Sequence, residues 1–316
     1  MLYPSLADSG DHTMWLFSRL TTCLSFILCG VMVTAVQAET IDANSGDGFV
    51  ALNRKIQCSL EDSSPQVFEW SGFGYSRVPG EPDRKIFGLL GMNIRQCGQV
   101  EDSDKGVGYR LVSREIMLYL DPQTGEILRT FDNPWTGASN EVIHVANDPV
   151  NQRPGFGINA DGSEKAFTYR DVNGQYLINY EIPLFYKNAM GGDYQKYVGG
   201  SYHATEIFDF NGDVAELLDA DKPVAYPVIS WVRLAPWLPW MEMNGRAGML
   251  YFNAMGRKLE SYDQLADLIK AEIAQQYPEY TTPPPLSDPR RNETSWTFMK
   301  KIIDSRAKEE PSAAQH

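Results

Sequence analysis

The chain has 316 residues, with 28 Lys and Arg against 41 Asp and Glu, for a net charge of −13. That balance argues against a nucleic-acid binder, whose affinity rests on Lys and Arg neutralising phosphates; it favours solubility without specifying a fold. With 43% of residues hydrophobic, the chain can bury one large core, as a single domain or a domain with appendages.

Residues 1–38 read as a secretory signal peptide. Leu24 to Val36 is almost unbroken apolar sequence, Arg19 precedes it, and Val36-Gln37-Ala38 offers the small residues of a cleavage site. Asp8 and Asp11 are out of place in such a leader, so Met14 is the expected start. The apolar run is short for a bilayer span, no lipobox precedes Cys23 or Cys29, and no later run is long enough for a membrane helix. The expected location is periplasmic or secreted. Processing leaves Cys58 and Cys97. In an oxidising compartment these two are expected to form one disulfide, which would stabilise the fold by roughly 4 kcal/mol in the chain-entropy model. The alternative is two separate buried thiols.

The remainder divides into a β-rich domain with a C-terminal helix over 39–277 and a Pro-rich connector, short helix and disordered tail over 278–316. Residues 40–57 suggest a short helix, with Phe49, Val50, Leu52 and Ile56 at roughly helical spacing. Val67 to Tyr75 alternates, turns at Pro79-Gly80-Glu81-Pro82 and resumes from Lys85 to Ile94, a hairpin pattern. A second hairpin is expected from Arg114–Leu120 through Asp121-Pro122-Gln123-Thr124-Gly125 into Glu126–Phe131. Two more turn at Asn173-Gly174 and Asn211-Gly212, the strongest short-range hairpin signal. After the first of these, Tyr176, Ile178, Tyr180, Ile182 and Leu184 would share one face. Strands at this rate predict an antiparallel β-barrel or strongly curved sheet, lipocalin-like in style, with room for a small ligand. Helix is expected late: a capping box at Ser261-Tyr262-Asp263-Gln264, then Leu265, Leu268, Ile269 and Ile273 as an apolar stripe. Thr281-Thr282-Pro283-Pro284-Pro285 is a stiff connector, after which Asn292 would cap a short helix carrying Trp296, Met299 and Ile302.

Histidine is the usual acid–base group near neutral pH. With His316 in the tail, the candidates are His144 and His203, each of which could instead be a structural histidine bonded to backbone. His203 and Glu206 have H-x-x-E spacing, but on a strand residues three apart point to opposite faces, so no metal site is assigned. A site using both histidines with Glu115 stays open, and no cofactor is expected. Asp209-x-Asn211-x-Asp213 resembles a calcium loop but lacks its glycine and bidentate Glu. No G-x-S-x-G, G-x-x-x-x-G-K or strand–G-x-G-x-x-G–helix unit occurs, so hydrolase-elbow and nucleotide chemistry find no support.

Arginines in apolar company are more telling, because a buried guanidinium is costly unless paired. Arg114, Arg233 and Arg246 must each meet a carboxylate, with Glu115 and Glu242 available, or an oxygen of a ligand. The stretch Trp231 to Phe252 holds Trp231, Trp237 and Trp240, broken by Pro236, Pro239, Gly245 and Gly248. With Trp135 it offers rings suited to a core or to a ligand pocket. Arg114–Glu126, Asn133–Gly137, His144–Asn151 and Trp231–Gly248 together resemble a family of exported bacterial proteins catalogued as domain-of-unknown-function family 1838. The resemblance covers most of the mature chain and implies export and one shared domain, with no activity to transfer.

The function expected is a pocket for an apolar or aromatic small molecule, lined by the tryptophans, with Arg233 and Arg246 holding an oxygen and a histidine moving protons if the protein is an enzyme. The alternatives are a non-catalytic lipocalin-type carrier and an envelope protein that docks a partner through the tryptophan loop.

Overall fold

A computed structural model describes residues 39–309; the segment expected to be a signal peptide and the tail with His316 lie outside the described residues. Helix α1 spans Gly46–Gln57 and is N-capped by Ser45, whose Oγ accepts the amide of Gly48 at 3.0 Å. Its Leu52 and Ile56 are fully buried. Just beyond its end, Cys58 is bonded to Cys97, with the Cα atoms 5.8 Å apart.

The strands follow: β1 Gln66–Arg77, β2 Arg84–Asp102, β3 Gly106–Leu120, β4 Thr130–Asp132, β5 Ser139–Glu141, β6 Val145–Asn147, β7 Gly155–Phe156, β8 Arg170–Val172, β9 Gln175–Tyr186 and β10 Tyr202–Asp213. After β10 come helix α2 at Val214–Leu218, β11 at Val228–Ala235, β12 at Met249–Leu259, α3 at Asp267–Gln276 and α4 at Ser295–Glu309. No helix among the described residues is long and apolar enough to cross a membrane.

The main sheet runs β6-β3-β2-β1-β12-β11-β10-β9-β8, with β7 also on the edge of β3, while β4 and β5 pair only with each other. Its pairings are all antiparallel. The expectation of a mainly antiparallel β-protein with C-terminal helices therefore holds, but that of a closed barrel does not. Closure requires the outermost strands to pair with each other, and β6 and β8 are three-residue strands with no mutual pairing. Pro149 and Pro154 sit where the chain runs beside β3 beyond β6. A residue without an N–H cannot extend a ladder there.

Strand alternation divides the sheet into two faces. The first presents Phe68 and Trp70 of β1, Phe87 and Leu89 of β2, Met117 and Tyr119 of β3, Phe252 of β12, Trp231 of β11 and Phe208 of β10, as the registers require. At one end Leu52, Ile56 and Leu217 of α1 and α2 pack on Phe68, Phe210 and Ile229. At the other, Trp237, Trp240, Met241 and Met243 pack on Phe87, Tyr119 and Phe131, joined by Met299 of α4. The second face buries Val67, Met92, Ile94, Ile116 and Leu118 beneath Leu265, Ile269 and Ile273.

Several local expectations are corrected. Asn173-Gly174 makes its hairpin turn at positive φ (54° and 80°), but Asn211-Gly212 is no turn. β10 runs straight through it, and Asp213 then caps α2 by accepting the amide of Glu216 at 2.9 Å. Gly212 is needed for space, since a Cβ there would sit 2.5 Å from the Tyr176 hydroxyl. The turn at 121–125 forms, but its return makes only an isolated bridge, Leu120 to Ile127, and β4 pairs elsewhere. The true partner of β3 is β2, through a turn in which Asp102 Oδ1 accepts the amides of Asp104 and Lys105. The box at 261–264 is a 3-10 turn, and α3 starts later because Leu265 is extended and drawn into the core. Thr294, not Asn292, caps α4; Asn292 instead accepts the amide of Asn151 at 2.7 Å.

Candidate functional site

Midway along the first face lies a cavity of about 150 Å³. Its apolar wall is built by alternation: Phe68 and Trp70 from β1, Met117 from β3, Phe208 and Phe210 from β10, Ile229 and Trp231 from β11. Trp231 stacks on Phe252 with centroids 5.9 Å apart, and Phe208 lies 6.4 Å from Trp231. Trp70 reaches over Gly91 and Gly256, its register partners on either side. A Cβ on Gly91 would come within 2.3 Å of the indole, so glycine is what lets this ring lie flat on the sheet. Ser295, the first residue of α4, completes the lining with Val145.

Four charged side chains enter this apolar space, one each from β2, β3, β10 and β11. Glu206 and Arg233 are register partners and form an ion pair at 3.1 Å. Arg233 also donates to the Tyr202 hydroxyl, and against the cost of burial Tyr202 and Glu206 hold its guanidinium above the ordinary range. Its Nε is buried without a hydrogen-bond partner. Arg95 donates from Nε to Asn93 Oδ1 at 2.7 Å and from Nη1 to Gln57 Oε1 at 2.5 Å, with its guanidinium 4.5 Å from the Phe68 ring centroid. Burial lowers its pKa to about 10, with Glu115 opposing, so it stays charged at neutral pH.

Glu115 is different. Among the described residues it forms no ion pair within 4 Å, and its register neighbours are the neutral Asn93 and Asn147. Burial, and then the nearby Glu206, push its pKa up, with Arg95 and Arg233 pulling the other way. A carboxyl held toward its neutral form inside an aromatic cavity can donate or accept a proton, the property of a general acid or base.

The sequence-derived candidates are dispersed by this geometry. Glu115, Trp231 and Arg233 line the cavity. Arg114, next to Glu115, points to the second face, pairs with Asp148 at 3.0 Å and donates to the carbonyls of Glu279 and Thr282. His144 is buried outside the cavity; its Nδ1 accepts the Tyr119 amide at 3.1 Å, and burial with nearby Arg129 lowers its pKa to about 4. His203 is exposed on the second face, edge-on to Phe185 at 5.8 Å, so it and Glu206 point to opposite sides. Trp240 packs on Phe87, Tyr119 and Phe131. Trp135 and Trp237 lie 5.0 Å apart, and Trp237 donates to the carbonyl of Arg246, whose own side chain is exposed. The carboxylate that meets Arg233 is Glu206 rather than Glu242, which is exposed.

Arg95, Glu206 and Trp70 were not among the expected site residues. For Arg95 and Glu206 the signal was a charge at an inward position of a largely apolar strand face: Arg95 shares its face with Phe87 and Leu89, and Glu206 with Phe208 and Phe210. Among the described residues no group of three His, Cys, Asp or Glu side chains is placed to hold a metal ion. A larger depression of about 560 Å³ beside Phe73 and Met255 has a single charged group, Asp121, whose carboxylate already accepts the amides of Gln123 and Thr124.

Residues 63–303 match a protein family described as "Protein of unknown function (DUF1838)". No curated protein matches the chain.

Proposed function

The chain belongs to that family, and from the chemistry of the cavity we propose that it is an exported protein that binds a compact, ring-bearing small molecule, with Glu115 as its acid–base group. The observation that carries this reading is the convergence of Arg95, Glu115, Glu206 and Arg233 on a space walled by Phe68, Trp70, Phe208 and Trp231. Binding sites combine apolar walls with a few convergent polar groups, and buried charges are on average no more stabilising to a core than apolar side chains of similar size. A cavity of this size accommodates about one ring.

Two further features support the proposal. In a flat sheet β3 and β10, five positions apart, would lie about 24 Å from each other. Both line one cavity of about 150 Å³, which supports a strongly curved sheet with the site in its hollow. The Cys58–Cys97 disulfide fits an oxidising compartment and hence export.

Native mass spectrometry of the purified protein, followed by titration with small aromatic compounds under tryptophan fluorescence, tests the reading. The expected result is a retained or titratable small organic ligand that changes Trp231 emission. A ligand-free mass combined with unchanged emission across a panel of ring compounds would overturn it. If Glu115 carries the proton chemistry, Glu115→Gln abolishes any turnover while leaving binding in place, and His144→Asn does not.

A further inference from the structure

The charges in the cavity go beyond a preference for rings. We propose that its ligand is a singly charged organic anion, an aromatic or unsaturated carboxylate, whose ring lies against Trp70 and Trp231 and whose carboxylate is held by Arg95 and Arg233 beside Glu115. The inference rests on the pocket reading above and sharpens it.

Four observations converge on an anion. Of the two cationic side chains in the lining, only Arg233 has a carboxylate partner within ion-pair distance, Glu206 at 3.1 Å. Arg95 is held by two neutral amides, those of Asn93 and Gln57, and among the described residues has no carboxylate within that distance. Arg233 keeps a buried Nε with no acceptor. The first turn of α4, the positive end of a 15-residue helix, borders the cavity through Ser295.

Glu115 decides the sign. With its carboxyl protonated, the lining carries two positive charges and one negative, a net of +1; with it ionised, the net is zero. Burial and Glu206 both favour the protonated form, which also offers a hydrogen-bond donor to a carboxylate. Beyond Arg95, Glu206 and Arg233, the residues in register with Glu115 on the neighbouring strands are the neutral Asn93 and Asn147. Lys258 of β12 lies behind Phe68, its Nζ donating to the carbonyls of Lys55, Ile56 and Cys58 at the end of α1, and burial, then Arg95, lower its pKa. A bound carboxylate thus takes the electrostatic place of an ionised Glu115, and binding is coupled to a proton on that residue.

The test is a titration of the purified protein with benzoate, benzamide and benzylammonium between pH 5.5 and 9, by calorimetry and ligand-observed NMR. Benzoate is expected to bind at least tenfold more tightly than benzamide, and benzylammonium not to bind. The benzoate affinity should fall as pH rises through the Glu115 titration, approaching tenfold per unit, while benzamide affinity stays flat. Glu115→Gln, which is neutral at every pH, should retain benzoate binding and lose that pH dependence. Arg233→Met, if it folds, should lose the preference for benzoate over benzamide; should it not fold, the pH profile of Glu115→Gln decides alone. Equal binding of benzoate and benzamide, or a pH profile unchanged by Glu115→Gln, would overturn the anion inference and leave the ring pocket standing. Failure of all three probes to bind would overturn both.

Discussion

The residue with most at stake is Arg233, because it holds Glu206 and Tyr202 at the edge of the cavity. Removing one partner of a buried ion pair leaves an uncompensated charge, costing about 3–5 kcal/mol when burial is complete. Here the two side chains keep 21% and 19% of their surface exposed, so Arg233→Met should cost about 2–3 kcal/mol in urea denaturation at pH 7. Arg233→Met with Glu206→Gln should recover part of that loss; equal instability of the single and double variants would show that the pair contributes nothing. His144 gives a pH signature of opposite origin. Its folded pKa is depressed to about 4 by burial and then Arg129, so its contribution is intact above the unfolded value near 6.5 and is lost as pH falls toward 4. Protonation would also break its bond from the Tyr119 amide. The fold should lose about 3 kcal/mol across that window, and His144→Asn, which keeps an acceptor and cannot titrate, should flatten the curve there. An unaltered acid profile in the variant would place the acid sensitivity elsewhere.

Elements were legible where local chemistry decided them. The α1 stripe, the first hairpin and the Asn173-Gly174 turn depend on residues close in sequence, and they form as the sequence implies. Asn211-Gly212 misleads because the same dipeptide serves a different need: Gly212 makes room for Tyr176 from the neighbouring strand, a contact no local pattern records. The same logic governs Trp70, whose place in the cavity wall depends on two glycines distant in sequence. Gly91→Ala should push the indole off the sheet into the cavity, lowering ligand affinity at least tenfold and shifting tryptophan emission. Unchanged affinity would mean that the ring has room to move elsewhere. At the far end of the same sheet, the disulfide ties β2 to the end of α1 across a separation of 39 residues. Cys58→Ala with Cys97→Ala should cost about 4 kcal/mol in the chain-entropy model, read as a lower denaturation midpoint in non-reducing buffer. The same midpoint with and without the bond would refute that contribution.

For the whole molecule, composition and alternation indicated an antiparallel β-protein, but not whether the sheet closes. Closure depends on the two outermost strands, and these are three residues long, β6 followed closely by Pro149, too short and irregular to carry a sequence pattern. The candidate site divides in the same way. Trp231, Arg233 and Glu115 were visible as polar or aromatic residues in apolar company, whereas Arg95 and Glu206 become site residues only once the fold brings β2 and β10 to one cavity. The tryptophan-rich stretch proves to serve two ends: Trp231 faces the cavity, while Trp237 and Trp240 form core around Phe131 and Trp135. The most direct measurement of the central claim is a crystal structure of the protein with 4-bromobenzoate, read by bromine anomalous scattering. The account predicts one dominant bromine peak within the cavity, over Trp70 and Trp231, with the carboxylate density between Arg95 and Arg233. A peak at the depression beside Phe73, or an empty cavity at saturating ligand, would contradict it.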